Sequence, residues 1–302
     1  MIVSCGEALI DLVPQPVPGG GPMNVAVAAA KLGAPAAFLG GVSSDPYGEQ
    51  IWQHLIEAGV DVRIIERFDA PTATARVEMT PKVTYFFEGE NTADTCLTSV
   101  DLSNLGPGPH IIHGGTLGMF RGDTAETLAA LVEEHDGLIS LDANIRPQLI
   151  EDRDHWETFH HRWLEQTDLY KVSDEDMAWI WPGKTQSSVV EELHGLGVGA
   201  VIVTAGEDGA TMYSPNTMVA VPSCPVDVVD TVGAGDTFVA SVLVSLWSRN
   251  ISRRKGLESL DSGDWATILG EAAGASAFVC GQVGANPPSQ AQLKDWMSRP
   301  SR

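Results

Sequence analysis

Residues 230–237 read Asp230-Thr231-Val232-Gly233-Ala234-Gly235-Asp236-Thr237. Two glycines flank one alanine, so three consecutive backbone amides carry almost no side-chain cover. Downstream, Phe238, Val239, Val242, Leu243, Leu246 and Trp247 recur on one stripe, and that spacing predicts a helix over Thr237–Trp247. Bare amides opening a helix form an anion site, because unpaired N–H groups and the positive dipole end converge there. Asp236 stands beside those amides, where a carboxylate can take a proton from a hydroxyl that attacks a phosphate. Gly-Ala-Gly alone is also an ordinary strand-to-helix turn, and Asp an ordinary helix starter. The full octet, with an Asp-Thr pair at each end, is more specific and asks for support elsewhere in the chain.

Support comes from the other end. Gly19-Gly20-Gly21-Pro22-Met23-Asn24 places three glycines, which permit close backbone approach, before an Asn at a helix start. Asp11 closes the first apolar strand pattern, Ile2–Asp11. A carboxylate and an amide brought together suit neutral vicinal hydroxyls, as on a sugar.

Between these patches strand and helix patterns alternate. Strands are expected at Ala36–Val42, Val60–Ile65, Ile111–His113, Leu138–Asp142, Leu169–Val172 and Ala200–Thr204. Helices are expected at Asn24–Leu32, Tyr47–Glu57, Thr124–His135, Trp156–Gln166, Asp174–Trp181 and Ser187–Leu196. Such alternation implies an α/β fold, a mainly parallel sheet with helices on both faces and ligands at the carboxyl ends of the strands. Asp11, Asp142, Asn144, Thr204 and Asp230 fall at those ends. From Thr72 to Glu88 the pattern switches to period two, which reads as a small antiparallel excursion.

The bulk numbers bound the function. The chain has 302 residues, 43% hydrophobic and 19% charged, which suits a globular protein with a sizeable core. No apolar run is long enough to span a bilayer, and the N-terminus lacks the pattern of a signal peptide. Cys5, Cys96, Cys224 and Cys280 have neither zinc nor disulfide spacing, which fits a reducing cytoplasm. A net charge of −22 disfavours nucleic acid and anionic membrane as partners. Any phosphate site on so acidic a chain must rest on amides, Mg²⁺ and a few placed cations. No Gly-x-Gly-x-x-Gly follows the first strand, so a dinucleotide-binding oxidoreductase is disfavoured.

Taken together, the motifs resemble those of the ribokinase-like (pfkB-type) carbohydrate kinases, and among these the bacterial fructokinases. Gly19–Asn24 is similar to the family's N-terminal signature and the octet to its C-terminal one. Gly40-Gly41-Val42-Ser43-Ser44-Asp45-Pro46-Tyr47-Gly48 is similar to its Gly-x-x-Gly-x-Asp-x-x-Gly segment, so the resemblance spans the chain. It implies one ribokinase-like α/β domain over 1–302, with lid segments at about 12–19 and 72–95. Asp236 would be the general base, Gly233, Ala234 and Gly235 the anion hole, and Asp11, Gly20 and Asn24 sugar ligands. Asp142-Ala143-Asn144-Ile145-Arg146 resembles the Asp-x-Asn-x-Arg element of fructokinases, which adds Asn144 and Arg146 on the substrate side; Arg146 also reads as a surface ion-pair residue.

The resemblance extends to the nucleotide side. Lys171-Val172-Ser173-Asp174-Glu175-Asp176 partly matches the family's Asn-x-x-Glu element, with Ser173 and Asp176 at the two key positions and Asp176 near water-bound Mg²⁺. Val203-Thr204-Ala205-Gly206-Glu207-Asp208-Gly209 resembles a nucleotide turn that uses Thr204, Gly206 and Gly209. Val283-Gly284-Ala285-Asn286-Pro287 resembles the loop beside adenine, bringing in Asn286, and Lys171, Ser173 and Thr231 complete the ATP side. Asp230, Val232 and Gly284 stand where the family holds a monovalent cation, so K⁺ joins ATP and Mg²⁺ as an expected cofactor. Lids of this family often pair between subunits, which makes a homodimer an expectation. Both lid turns, Val13–Gly19 and Thr80–Lys82, are short for a fructokinase.

The acceptor is narrowed by charge. A sugar phosphate needs cations near its phosphate, yet residues 1–80 contain only Lys31, Arg63, Arg67 and Arg76. Free sugars are therefore favoured. By the resemblance, the Gly6–Asp11 opening and the Asp142–Arg146 element lean toward fructose; 2-keto-3-deoxygluconate comes next, since its kinases share most of these motifs and Arg146 could serve either acceptor, then ribose and nucleosides. A sensor that binds sugar and ATP without turnover is the non-enzyme alternative, and the intact Asp236 argues against it.

Overall fold

The structure is a computed structural model that describes residues 1–13, 15–80, 82–89 and 91–298, with backbone alone over 77–80, 82–86 and 88. Its strands are β1 (Ile2–Cys5), β2 (Leu9–Leu12), β3 (Pro16–Gly19), β4 (Ala36–Leu39), β5 (Gly41–Ser43), β6 (Glu66–Phe68), β7 (Thr74–Thr80), β8 (Lys82–Glu88), β9 (Ile111–Gly115), β10 (Leu138–Asp142), β11 (Leu169–Ser173), β12 (Ala200–Thr204), β13 (Ala210–Ser214) and β14 (Thr217–Val221). The helices are α1 (Gly21–Lys31), α2 (Pro46–Glu57), α3 (Gly122–Glu134), α4 (Arg153–Gln166), α5 (Asp174–Ile180), α6 (Gln186–Gly195), α7 (Ala234–Ser248), α8 (Arg254–Leu257), α9 (Ser262–Cys280) and α10 (Gln290–Met297).

An eight-stranded sheet runs β14-β13-β12-β11-β10-β9-β1-β4. From β12 to β4 it is parallel, and β13 and β14 close it with an antiparallel hairpin. Side chains alternate between its faces. Ile2, Ala36, Ile111, Leu138, Leu169 and Ala200 pack in one core with Val25 and Ala28 of α1, Phe238 and Leu243 of α7 and Trp265 and Ile268 of α9. Their successors Val3, Ala37, Ile112, Ile139, Tyr170 and Val201 pack in a second core with Leu128 of α3, Trp156 and Trp163 of α4 and Leu193 of α6. Strands buried on both sides are why these segments read as continuous apolar runs.

β1 lies between β4 and β9, so the chain leaves it first toward one edge of the sheet and later toward the other. That reversal opens a crevice at the carboxyl ends of β1 and β9. A second sheet, ordered β3-β2-β7-β8, adjoins the crevice. The period-two segment beyond Thr72 becomes its hairpin β7–β8. Pro14, Pro81 and Glu90 of the expected lid segments lie outside the described residues.

Several expectations change. The apolar run Ile2–Asp11 breaks at Gly6, whose φ of 144° turns the chain, so β1 and β2 belong to different sheets. Val60–Ile65 is not a strand: Asp61 makes one isolated bridge to Ala37, and the paired strand is Glu66–Phe68. The Pro-rich stretch conceals β3, which sits at a sheet edge where missing N–H groups do no harm. The helix after the octet starts at Ala234, three residues before Thr237, because Gly233 already caps it.

Asp45 explains the motif around it. Its carboxylate caps α2 by accepting from Gly48 N at 2.7 Å, and it also accepts from Thr72 N at 2.8 Å and Thr72 Oγ1 at 2.6 Å. One side chain therefore ties the start of α2 to the segment leading into β7. Asp45→Ala strands both partners at once and is expected to cost about 1–3 kcal/mol. A denaturant midpoint unchanged from wild type would count against this tie.

Candidate active site

The site assembles around the first turn of α7. Gly233 caps that helix with φ 77° and ψ 1°, a left-handed conformation. A Cβ there would fall 2.5 Å from the Cβ of Ala285, so glycine is required by packing as well as by backbone angle. Asp230 secures the approach: its carboxylate accepts from Val232 N at 3.1 Å and from Gly284 N at 2.8 Å, joining the octet to the turn around Gly284.

Asp236 accepts from Asn24 Nδ2 at 2.8 Å and lies 3.5 Å from Asn144 Nδ2. Burial raises its pKa, while the bond from Asn24 and the charges of Arg146 and Lys171 oppose that rise. Asn144 holds a φ of 38° after β10 and also donates to Thr116 Oγ1 at 3.1 Å. Thr116 has a φ of 53° in the turn after β9. Two non-glycine residues in the left-handed region, side by side, mark local strain of the kind concentrated at functional sites. Gly21 makes the convergence possible, since a Cβ on it would lie 2.8 Å from Thr116 Oγ1 and 2.9 Å from Asn144 Nδ2.

Two cavities flank this turn. The first, about 420 Å³, is lined by Glu7, Asp11, Gly20, Asn24, Asn144, Arg146, Val232, Gly233 and Asp236, with Ala75 and Phe87 contributed by the second sheet. Among its described lining residues Arg146 is the one Lys or Arg side chain. Burial lifts Asp11 to a pKa of about 6, with Arg146 pulling it down and Asp236 pushing it up. The second cavity, about 480 Å³, is lined by Thr204, Gly206, Gly209, Pro225, Val226, Phe238, Ala273, Ser276 and Ala277. It is largely apolar, with small side chains on α9 that leave room for a flat ring. Thr231 and Gly235 line both cavities, so the amides of the octet stand where the two meet.

Lys171 lies next to Gly235 but lines neither cavity. It is buried, its Nζ lies 3.0 and 3.2 Å from the Asp142 carboxylate, and the open face of Gly235 points at it. Burial disfavours its charge, but Asp142 and Asp176 outweigh that and hold it protonated. Other predicted residues stand further off. Ser173 caps α5 by accepting from Asp176 N, and Asp176 accepts from Ile145 N at 3.2 Å; neither lines either cavity, whereas Glu175 lines the first. Asn286 is exposed, donates to Val283 O at 3.0 Å and lines neither cavity. Among the described residues no cluster of three His, Cys, Asp or Glu side chains is arranged to hold a metal. Glu7 and Thr116 were not singled out by sequence reasoning. The pair Gly114-Gly115 just before Thr116 was the available signal for an unusual backbone there.

This architecture, with an acceptor-sized polar cavity and a larger apolar one joined at a glycine-capped helix, is that of a phosphotransferase. Residues 14–292 match the pfkB family carbohydrate kinase, and the chain belongs to that family. It is 35% identical over 274 residues to a fructokinase of Rhizobium leguminosarum bv. trifolii, covering 86% of this chain and 84% of the relative. Among solved structures it is similar to a Xylella fastidiosa fructokinase with bound ATP (TM-score 0.91, 25% identity, 98% of this chain and 97% of that one). It is also similar to a Vibrio cholerae O395 fructokinase double mutant bound to fructose, ADP and potassium ion (TM-score 0.85, 25% identity, 98% of both chains).

The ionisation of Asp11 is open to test. If its carboxylate binds the acceptor, kcat/KM for the sugar falls as pH drops below about 6, because protonation removes a hydrogen-bond acceptor. A pH–rate profile that stays flat well below that value contradicts a binding role for the ionised form.

Proposed function

We propose that this carbohydrate kinase phosphorylates D-fructose with Mg·ATP. The observation that carries the reading is the meeting of the two cavities at Gly233–Gly235, with Asp236 on the wall of the smaller one. ATP enters the apolar cavity with its base against α9 and its γ-phosphoryl group at the amides of the octet. The sugar lies in the polar cavity, held by Asp11, Gly20, Asn24, Asn144 and Arg146. Asp236 takes the proton of a primary hydroxyl, the sugar oxygen forms a bond to phosphorus, and the bond to the ADP oxygen breaks. The amides of Gly233, Ala234 and Gly235, with Lys171, stabilise the charge that develops in transfer. Mg²⁺ on the phosphates neutralises charge there when bound. The sheet β3-β2-β7-β8 acts as a lid within a single domain, presenting Ala75 and Phe87 to the sugar.

Fructose is preferred to an acidic sugar on electrostatic grounds. Asp11, Glu175 and Asp236 share the cavity wall, and Arg146 is already coupled to Asp11. An added carboxylate would face that excess of acidic groups. The relatives named fructokinase point the same way.

ADP release from Mg·ATP, measured across fructose, ribose and 2-keto-3-deoxygluconate, tests the reading. Fructose should give the highest kcat/KM; a preference for the acidic sugar, or no stimulation by any sugar, overturns it. We further propose that K⁺ supports activity by ordering the Asp230–Val232–Gly284 corner. The same assay in K⁺, Na⁺ and a large organic cation should favour K⁺, and equal rates in all three would discard the idea.

A further inference from the structure

Glu7 is an acidic residue of the acceptor cavity to which the proposed reaction gives no task. It follows Gly6 at the carboxyl end of β1, it is 1% exposed, and it lines the cavity. Its Oε2 accepts from Gly118 N at 2.9 Å, across 111 residues of chain. The fit behind that bond is close. A Cβ on Gly118 would lie 2.5 Å from Gly6 Cα, and one on Gly20 would lie 2.7 Å from the Glu7 carbonyl oxygen. Glu7 thus stands between the glycine loop that opens α1 and the turn Thr116–Gly118 that follows β9.

That turn carries Thr116, held at φ 53°, whose Oγ1 accepts from Asn144 Nδ2. Asn144 in turn lies 3.5 Å from Asp236 Oδ1. A continuous path of contacts therefore runs from the Glu7 carboxyl through Gly118, Thr116 and Asn144 to the proposed base. We propose that Glu7 is a positioning residue: by holding the 116–118 turn it fixes the Asn144 amide and, through it, the orientation of Asp236 toward the sugar hydroxyl. This rests on the kinase reading given above, which wild-type turnover establishes separately.

The chemistry of the site suits this role. Burial pushes the Glu7 carboxyl up to about 8, with the Gly118 bond opposing and the nearby Asp94 and Asp236 carboxyls adding to the rise. A neutral carboxyl keeps a carbonyl oxygen for Gly118 and adds no second negative charge beside Asp236. Glutamine supplies the same shape, the same acceptor and the same neutrality.

The test compares steady-state kinetics of Glu7→Ala, Glu7→Gln, Thr116→Val and the double variant Glu7→Ala/Thr116→Val in the full chain with fructose and Mg·ATP. Glu7→Ala should lower kcat/KM for fructose by about 10–100-fold with KM for ATP within about threefold of wild type, a misplacement cost. The conservative Glu7→Gln should recover most of that loss. Thr116→Val should reproduce the loss, and the double variant should be no worse than the poorer single, since both act on one path. Normal fructose kinetics in a folded Glu7→Ala, no recovery by Glu7→Gln, or an additive double variant would each overturn the proposal. Should Glu7→Ala not fold, Thr116→Val and Glu7→Gln decide: normal fructose kinetics in the first, or a loss in the second as large as in the first, overturns it.

Discussion

The hydrogen bond from Asn24 Nδ2 to Asp236 Oδ2 joins the first turns of two helices across 212 residues of chain. Both helices lie on the same face of the main sheet, and their apolar sides share one core. The core brings the helix starts together, and the glycines on each side let them approach. Gly20 and Gly21 keep the α1 end bare, and Gly233 and Gly235 do the same at α7. The acceptor cavity, the junction with the nucleotide cavity and the orientation of Asp236 all depend on that approach.

Electrostatics then explains how an acidic chain of net charge −22 can handle a polyanion. The proposed anion site is made chiefly from backbone amides, which carry no net charge and need no counterion. The placed cations are few. Arg146 donates to the carbonyls of Asn144 and Ile145, and Lys171 is clamped by Asp142. Pairing each cation to the frame costs side-chain freedom before ligand arrives, so less is lost on binding. The cavity proposed for the nucleotide has no Lys or Arg among its described lining residues, which leaves recognition of a base to shape and apolar contact.

Much of this was legible in the sequence, for identifiable reasons. Buried parallel strands such as Ala200–Thr204 read plainly because both faces are mainly apolar. Asp11, Asn24, Asn144 and the octet could be placed because glycine runs and strand ends punctuate the chain around them, and Arg146 through the resemblance carried by Asp142–Arg146. What escaped depended on tertiary geometry. No local pattern announces that Gly6 sends β1 and β2 into different sheets, or that Glu7 reaches Gly118. The β13–β14 hairpin was passed over because its buried residues, Ala210, Met212 and Val219, are spread through a stretch of mixed polarity. Asp176 and Asn286 were assigned by motif position alone; each makes a backbone contact and lines neither cavity.

Asp236, on the wall of the smaller cavity beside the shared amides, is the proposed proton acceptor. The most direct measurement is turnover and ATP affinity of Asp236→Asn, with folding verified by thermal unfolding. The substitution keeps size and the contact region while removing the base. Turnover should fall by about 10²–10⁴-fold with ATP still bound. Near-normal turnover in a folded Asp236→Asn enzyme would contradict the account.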